Sequence, residues 1–213
     1  MNDQIKPPRN ITLTALLLEL GLVIVALAIA AALGRLHHMG LDLSHASLGD
    51  NSKAFAFGIA ATVPMFALLV FVRTTQIELF RKFNQDVDRM VKQLFGKTSI
   101  LNLALISAAA GLGEELLFRG VIQVTISDWI GGLQGVVFGL VIASLLFGVC
   151  HWLSVTYAVF AAIIGVYFGL LLVFTDNLIV PIVAHGLYDF VALTVLVKHD
   201  TLPELEVDEF REL

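Results

Sequence analysis

Three ionisable side chains interrupt a long apolar run in the middle of the chain. Residues 113 to 120 read Gly-Glu-Glu-Leu-Leu-Phe-Arg-Gly. A charge at bilayer depth costs at least a few kcal/mol on insertion scales, so such a triplet indicates a function. If the run is helical, Glu115 and Arg119 lie four residues apart on one face, in the order that favours an ion pair. Glu114 points about 100° away from that pair and is left to face another helix.

Two later apolar runs carry histidines. One ends in Phe-Gly-Val-Cys-His, residues 147 to 151, and the last contains His-Gly-Leu-Tyr-Asp, residues 185 to 189. The spacing of four places both residues of each motif on one helical face. A lone buried histidine is often a hydrogen-bonded core residue. Two histidines with two glutamates, an arginine and an aspartate in one small bundle are instead expected to meet and to work together.

The composition indicates a membrane protein with several spans. Of the 213 residues, 58% are hydrophobic and 15% are charged, whereas soluble domains have about 45 to 50% and about 25%. The single cysteine, Cys150, excludes an internal disulfide and a cysteine-rich metal cluster. No basic stripe with interleaved aromatic residues is present, so nucleic acid is not an expected partner. The expected partners are the lipid bilayer and a peptide or protein substrate at the membrane.

We predict an all-α transmembrane bundle of six spans and one amphipathic interfacial helix. The predicted spans cover residues 11 to 33, 54 to 72, 99 to 126, 133 to 150, 157 to 174 and 178 to 197. Pro64 should kink the second span unless a neighbouring helix satisfies the freed carbonyl. Glu19 lies in the first span, and we interpret it as lying near an end or facing other helices.

The amphipathic helix predicts the orientation of the chain. Apolar residues recur at threes and fours over residues 75 to 95, with charged residues between them. Six Lys or Arg residues lie between residues 73 and 97, which places this segment and the N-terminus in the cytoplasm. We expect the protein to lie in the cytoplasmic membrane of a bacterium or archaeon.

The chain divides into three regions within one integral membrane domain. Residues 1 to 98 form a two-span region with the amphipathic helix, residues 99 to 197 a catalytic core, and residues 198 to 213 an acidic tail that we expect to be mobile. The loop of residues 35 to 53 contains His37, His38 and His45, but its Gly, Ser and Asp residues are typical of an ordinary loop rather than a metal site.

The ordered motifs Glu-Glu-x-x-x-Arg, Phe-x-x-x-His and His-x-x-x-Asp, within residues 103 to 191, resemble those of the CAAX protease and bacteriocin-processing family. This family is also called the abortive-infection or type II CAAX endopeptidase family. The resemblance implies an intramembrane endopeptidase that acts on a membrane-associated or lipidated substrate. It implies that Glu114 and His151 activate water and that His185 and Asp189 stabilise the oxyanion. It also implies that Glu115 and Arg119 form a structural ion pair.

One position departs from part of that family. Some members have Asn where this chain has Asp189, and a carboxylate donates a hydrogen bond only when it is protonated. Asp189 is therefore expected to orient His185, or the site binds a metal. Glu114, His151 and His185 could form a zinc site with an open water position. No His-Glu-x-x-His motif is present, so such a site would need ligands from separate helices, and a metal-free mechanism stays open.

Two rival functions use the same residues. Buried carboxylates and histidines also occur in proton-coupled transporters, although the small size and the absence of an internal repeat disfavour this reading. The second rival function is that of a non-catalytic immunity or scaffold membrane protein. The positions of the histidines pose a geometric problem, because His151 ends one span whereas His185 lies about 10 Å inside the opposite end of another. We expect a break or re-entry around residues 151 to 156, or a site near mid-depth reached from a vestibule.

Overall fold

The computed structural model describes residues 10 to 36 and 48 to 198, and every regular element within these ranges is helical. The loop histidines His37, His38 and His45, together with His199, the first nine residues and the acidic tail, lie outside the described residues. The helices are α1 (Ile11–Ala32), α2 (Leu48–Thr74), α3 (Glu78–Phe95), α4 (Ile100–Glu115), α5 (Val124–Ile130), α6 (Gly132–Cys150), α7 (Val155–Thr175) and α8 (Ile179–Lys198), and a π-helix, Leu116–Gln123, joins α4 to α5.

Six helical segments are long and apolar enough to cross a membrane: Ile11–Ala32, Asp50–Thr74, Ile100–Ile130, Gly132–Cys150, Val155–Thr175 and Ile179–Lys198. Helix α4, the π-helix and α5 together form the third of these spans. The prediction of an all-α bundle with six spans is confirmed. The amphipathic α3 is the seventh helical segment in the described part of the chain.

Local sequence signals mark the helix ends, and the third span continues to Ile130, beyond its predicted end at residue 126. Gly131 and Gly132 have φ angles of 75° and 57°, which side chains rarely adopt, and they separate α5 from α6. Ser99 and Ser154 cap α4 and α7 by accepting hydrogen bonds from backbone N–H groups at 3.2 Å. Asp176 has a φ of 47° and forms the turn between α7 and α8.

The packing places α4 at the centre of the bundle. It contacts α1 on one side and α8 on the other, while α2 also packs on α8 and α6 pairs with α7. Helix α2 continues through Pro64. The hydroxyl of Tyr167 on α7 donates to the carbonyl oxygen of Ala61 at 2.6 Å, one residue beyond the carbonyl of Ala60 that Pro64 frees.

Helix α3 lies against one end of this bundle. Its Phe83 ring stacks on Phe160 of α7, with the centroids 4.8 Å apart. Asn84 donates to the carbonyl oxygen of Val72 at 2.9 Å, and Asp88 pairs with Arg73 at 2.5 Å, so two polar contacts hold α3 to the end of α2. The apolar face of α3 therefore points into the bundle.

Candidate active site

A close crossing of α4 and α8 brings the first and third motifs together. A Cβ atom on Gly111 would lie 2.7 Å from the backbone nitrogen of Gly186, so any side chain there would push the helices apart. Glu115 lies one turn beyond Gly111, and His185 precedes Gly186. The Nδ1 atom of His185 accordingly lies 2.8 Å from Oε1 of Glu115.

The predicted pair of Glu115 and Arg119 is present and fully buried. Arg119 Nη1 donates to Glu115 Oε1 at 2.9 Å, and Nη2 donates to the carbonyl oxygen of Gly165 on α7 at 2.9 Å; both side chains are 0% exposed. The guanidinium also lies over the ring of Phe147, 4.5 Å from its centroid. This pair therefore joins the first span of the core to two others.

Glu114 faces a different partner, as its direction on the helix predicts. Its Oε2 atom lies 3.5 Å from Nε2 of His151, whose ring is at the end of α6. The other ring nitrogen, Nδ1, lies 2.8 Å from the carbonyl oxygen of Phe147. Because a carbonyl only accepts hydrogen bonds, Nδ1 must carry the proton, and Nε2 of a neutral His151 presents its lone pair to Glu114.

The environment of His151 suits a proton acceptor. This residue lies just beyond the membrane span Gly132–Cys150. Burial lowers the pKa of His151 below its ordinary value, so the ring is neutral at neutral pH. A neutral imidazole and a carboxylate that face each other without a hydrogen between them can take a proton from a molecule bound beside them.

His185 is held from both sides. In addition to the contact with Glu115, its Nε2 atom lies 3.3 Å from Oδ2 of Asp189, one turn along α8. Phe168 stacks on the ring with the centroids 4.7 Å apart. Since ionised carboxylates only accept hydrogen bonds, two such partners favour an imidazolium with a hydrogen on each nitrogen. Asp189 is the more accessible partner, with 32% of its side chain exposed.

Phe147 connects the two histidines. Its ring stacks on His151 at a centroid distance of 4.4 Å and meets the edge of His185 at 5.9 Å. The same ring packs edge to face against Phe118 of the first motif, at 5.2 Å. The phenylalanine of the second motif therefore fixes the spacing between the two imidazoles.

All four predicted catalytic residues line one cavity of about 290 Å³. Glu114, His151, His185 and Asp189 lie along its wall. The rest of the lining is mainly apolar and comes from α2, α3, α7 and the end of α8, for example Leu69, Phe83, Met90, Ile164 and Leu196. Because His185 and Leu196 both line it, the cavity follows α8 for about 16 Å, at 1.5 Å per residue.

This cavity accounts for the meeting of His151 and His185. Helix α6 ends at Cys150 and α7 begins at Val155, so the chain breaks where a break was expected. The cavity reaches both histidines and extends to α3 at one end of the bundle. The residues of the site thus converge as predicted, while their catalytic roles stay predictions.

The donor atoms do not fit a zinc site built from Glu114, His151 and His185. Both ring nitrogens of His185 face carboxylates, and Nδ1 of His151 faces a carbonyl. Within residues 10 to 36 and 48 to 198, no group of three or more His, Cys, Asp or Glu side chains is arranged to hold a metal ion. The zinc site therefore remains a sequence-based hypothesis.

Two features of the site were not predicted from the sequence. The π-helix Leu116–Gln123 follows directly on Glu115, and such segments frequently occur at functional sites. Glu19 of α1 faces other helices, as interpreted, but it also lines the cavity beside Glu114. Glu19 is the only ionisable residue of α1, and this feature of the sequence could have identified it as a residue of the site.

The comparisons agree with the motifs. Residues 96 to 191 match the family described as type II CAAX prenyl endopeptidase Rce1-like. The uncharacterized protein YpbD of Bacillus subtilis (strain 168) is 32% identical over 132 residues, which are 61% of this chain and 64% of the length of that protein. No solved structure matches the chain. Residues 96 to 191, which contain all three motifs, are thus similar to the Rce1-like family of type II CAAX prenyl endopeptidases.

Proposed function

We propose that this protein is an intramembrane endopeptidase that hydrolyses a peptide bond of a membrane-associated or lipidated substrate through a glutamate-activated water. The observation that carries the proposal is the facing pair of Glu114 Oε2 and His151 Nε2, 3.5 Å apart, on the wall of a mainly apolar cavity. The similarity of residues 96 to 191 to the type II CAAX prenyl endopeptidases makes peptide hydrolysis the expected reaction.

The pair of Glu114 and His151 is suited to move one proton. As the water oxygen bonds to the carbonyl carbon, its proton passes to Glu114, whose protonated carboxyl can donate to the lone pair on His151. The same proton then passes to the amide nitrogen as the carbon–nitrogen bond breaks. The products are a new carboxyl group and a free amine.

His185 is the donor available for the oxyanion. Its Nε2 atom lies 3.3 Å from Oδ2 of Asp189, whereas its Nδ1 atom lies 2.8 Å from the buried Glu115. A substrate carbonyl can therefore take the place of the more accessible Asp189 and accept a hydrogen bond from Nε2 as its oxygen becomes negative. Donors of this kind contribute about 10² to 10³-fold to the rate.

The cavity suits a chain with apolar side chains or a lipid group. Along the 16 Å estimated from helical rise, an extended peptide would place about five residues. Most of the lining beyond the polar end is aliphatic or aromatic. Burial of apolar substrate surface there is favourable by about 25 cal/mol per Å².

The test is hydrolysis of a defined probe. Purified protein in liposomes would be incubated with a fluorogenic prenylated CAAX peptide and, separately, with extracted bacterial membrane proteins, in ¹⁸O-labelled water. We expect cleavage with one ¹⁸O in the new carboxylate. His151→Ala should be inactive, whereas Glu78→Gln, at an acid that is 55% exposed on α3, should match the wild type. Absence of cleavage in both substrate pools, or proton movement across the liposome without cleavage, would refute the proposal.

We also propose that α3 and the N-terminus face the cytoplasm. The support is the excess of Lys and Arg between residues 73 and 97. Gln85 is exposed on α3 and can be changed to cysteine in a Cys150→Ser background. A membrane-impermeant thiol reagent should label this cysteine only after the cells are opened, and labelling of intact cells would reverse the orientation.

A further inference from the structure

Glu19 lies on the bundle-facing side of α1. It is the only ionisable residue among the twenty-two of this helix. Ala26 and Ala30, which follow at helical spacings, are 0% and 2% exposed, so Glu19 shares the buried face. Leu18, its neighbour, is 66% exposed and lies on the outer face. A carboxylate on the inner face of a membrane helix needs a reason to be there.

The backbone places Glu19 directly beside the proposed base. A Cβ atom on Gly113 would lie 2.5 Å from the carbonyl oxygen of Glu19, so α1 and α4 cross at these two residues. Gly113 immediately precedes Glu114, and both glutamates line the same cavity. His185 and Asp189 line this cavity as well, so Glu19 shares it with the ionisable residues of the site. Glu19 is therefore within the active site although it lies outside the residues that match the family.

The hydrogen-bonding state of the two glutamates indicates a shared ligand. Glu19 Oε2 and Glu114 Oε2 are both buried, and neither has a hydrogen-bond partner among the described residues. Glu114 is only 8% exposed. Buried acceptors of this kind normally receive a hydrogen from a protein group or from a water. Two acceptors that face one cavity can be satisfied by one molecule with two O–H groups.

We propose that Glu19 is a water-positioning residue of the peptidase, and this inference rests on the proposed function. The attacking water donates one hydrogen toward Glu114 and His151 and the other to Glu19. With both hydrogens held, a lone pair of the water oxygen points at the carbonyl carbon in the cavity. The water is thereby oriented before the reaction, so Glu19 acts on the turnover step more than on substrate binding.

The experiment compares four proteins on the prenylated CAAX peptide. Glu19→Ala should lower kcat by about 10²-fold with little change in KM, as expected for a misplaced reacting group. Glu19→Gln keeps one acceptor oxygen and should lose less. Leu18→Ala is the matched control on the outer face and should match the wild type. Thermal melts in detergent should be the same for all four.

Chemical rescue separates a water-positioning role from a structural one. Formate is a small carboxylate that can occupy the space left in Glu19→Ala, so added formate should raise its kcat in a saturable manner while leaving Leu18→Ala unchanged. A Glu19→Ala protein that turns over as fast as the wild type overturns the inference. So does a loss of activity that formate does not restore. If the wild type itself cleaves nothing, the proposed function fails, whereas an active wild type with an equally active Glu19→Ala refutes this inference alone.

Discussion

Two adjacent glutamates of the same helix have opposite environments. Glu115 is 0% exposed and its Oε1 atom receives hydrogen bonds from both Arg119 and His185. Glu114 borders the cavity, and its Oε2 atom lies 3.5 Å from Nε2 of His151, beyond a normal hydrogen bond. One residue of sequence therefore separates a fully paired carboxylate from a carboxylate that is open to a ligand.

The difference shows how one helix can provide both stability and reactivity. Successive side chains point about 100° apart, so Glu115 faces α8 and the arginine while Glu114 faces the end of α6. A carboxylate held by a guanidinium is a poor base, since its charge is already neutralised. A carboxylate that faces a neutral imidazole in an apolar cavity can accept a proton. Substitution of each glutamate tests whether Glu115 provides stability and Glu114 provides reactivity.

The largest effect is expected for Glu114→Gln. An amide cannot take the proton of the attacking water, so cleavage of the prenylated CAAX peptide should fall by about 10² to 10⁴-fold. The fold should be retained, because the side chain makes no hydrogen bond to a described residue through Oε2. Steady-state cleavage and a thermal melt in detergent measure the two properties. Near-normal cleavage by this variant would remove Glu114 from the role of base.

Glu115→Gln should act on stability instead. It leaves the buried guanidinium of Arg119 without its counter-charge, and breaking a buried ion pair in this way costs about 3 to 5 kcal/mol. A thermal melt should show a large decrease relative to Glu78→Gln, which removes an exposed carboxylate from α3. A Glu115→Gln protein that melts like the wild type and is catalytically dead would exchange the roles of the two glutamates.

Much of the architecture could be predicted because its causes are local. The length of each apolar run sets a membrane span, and the positive φ angles of Gly131 and Gly132 are a conformation that glycine adopts readily. The four-residue spacing of Glu115 and Arg119 was sufficient to predict their ion pair. These features need no knowledge of how the helices are arranged.

The remaining features depend on packing. The contact between His185 and Glu115 follows from the approach of Gly111 to Gly186, and helical spacing does not reveal which glycines lie at a crossing. The same holds for Gly113 and Glu19. The histidines His151 and His185 share Phe147 because α6 and α8 meet at a particular depth. The π-helix Leu116–Gln123 was not predicted from the apolar spacing either.

A smaller effect is expected for Asp189→Asn, on the outer side of His185. An amide can still accept from His185 Nε2 through its oxygen, and its N–H group can also donate to the oxyanion. Activity should therefore change by no more than about tenfold, or roughly 1.4 kcal/mol. Asp189→Leu removes both capacities and should lose more. Kinetics of the two variants on the same peptide decide the point, and a dead Asp189→Asn would show that the negative charge itself is needed.

The smallest effect is expected for removal of metal ions. His185 is held between Glu115 and Asp189, so a zinc ligand there would have to displace a carboxylate from a ring nitrogen. Treatment of the purified protein with a strong chelator such as 1,10-phenanthroline should therefore leave cleavage unchanged, and elemental analysis of the active protein should find no stoichiometric zinc. If the chelator abolishes cleavage and added zinc restores it, Glu114 is a ligand rather than a free base. Glu114 would then differ from Glu115 as a metal ligand differs from a carboxylate held in an ion pair.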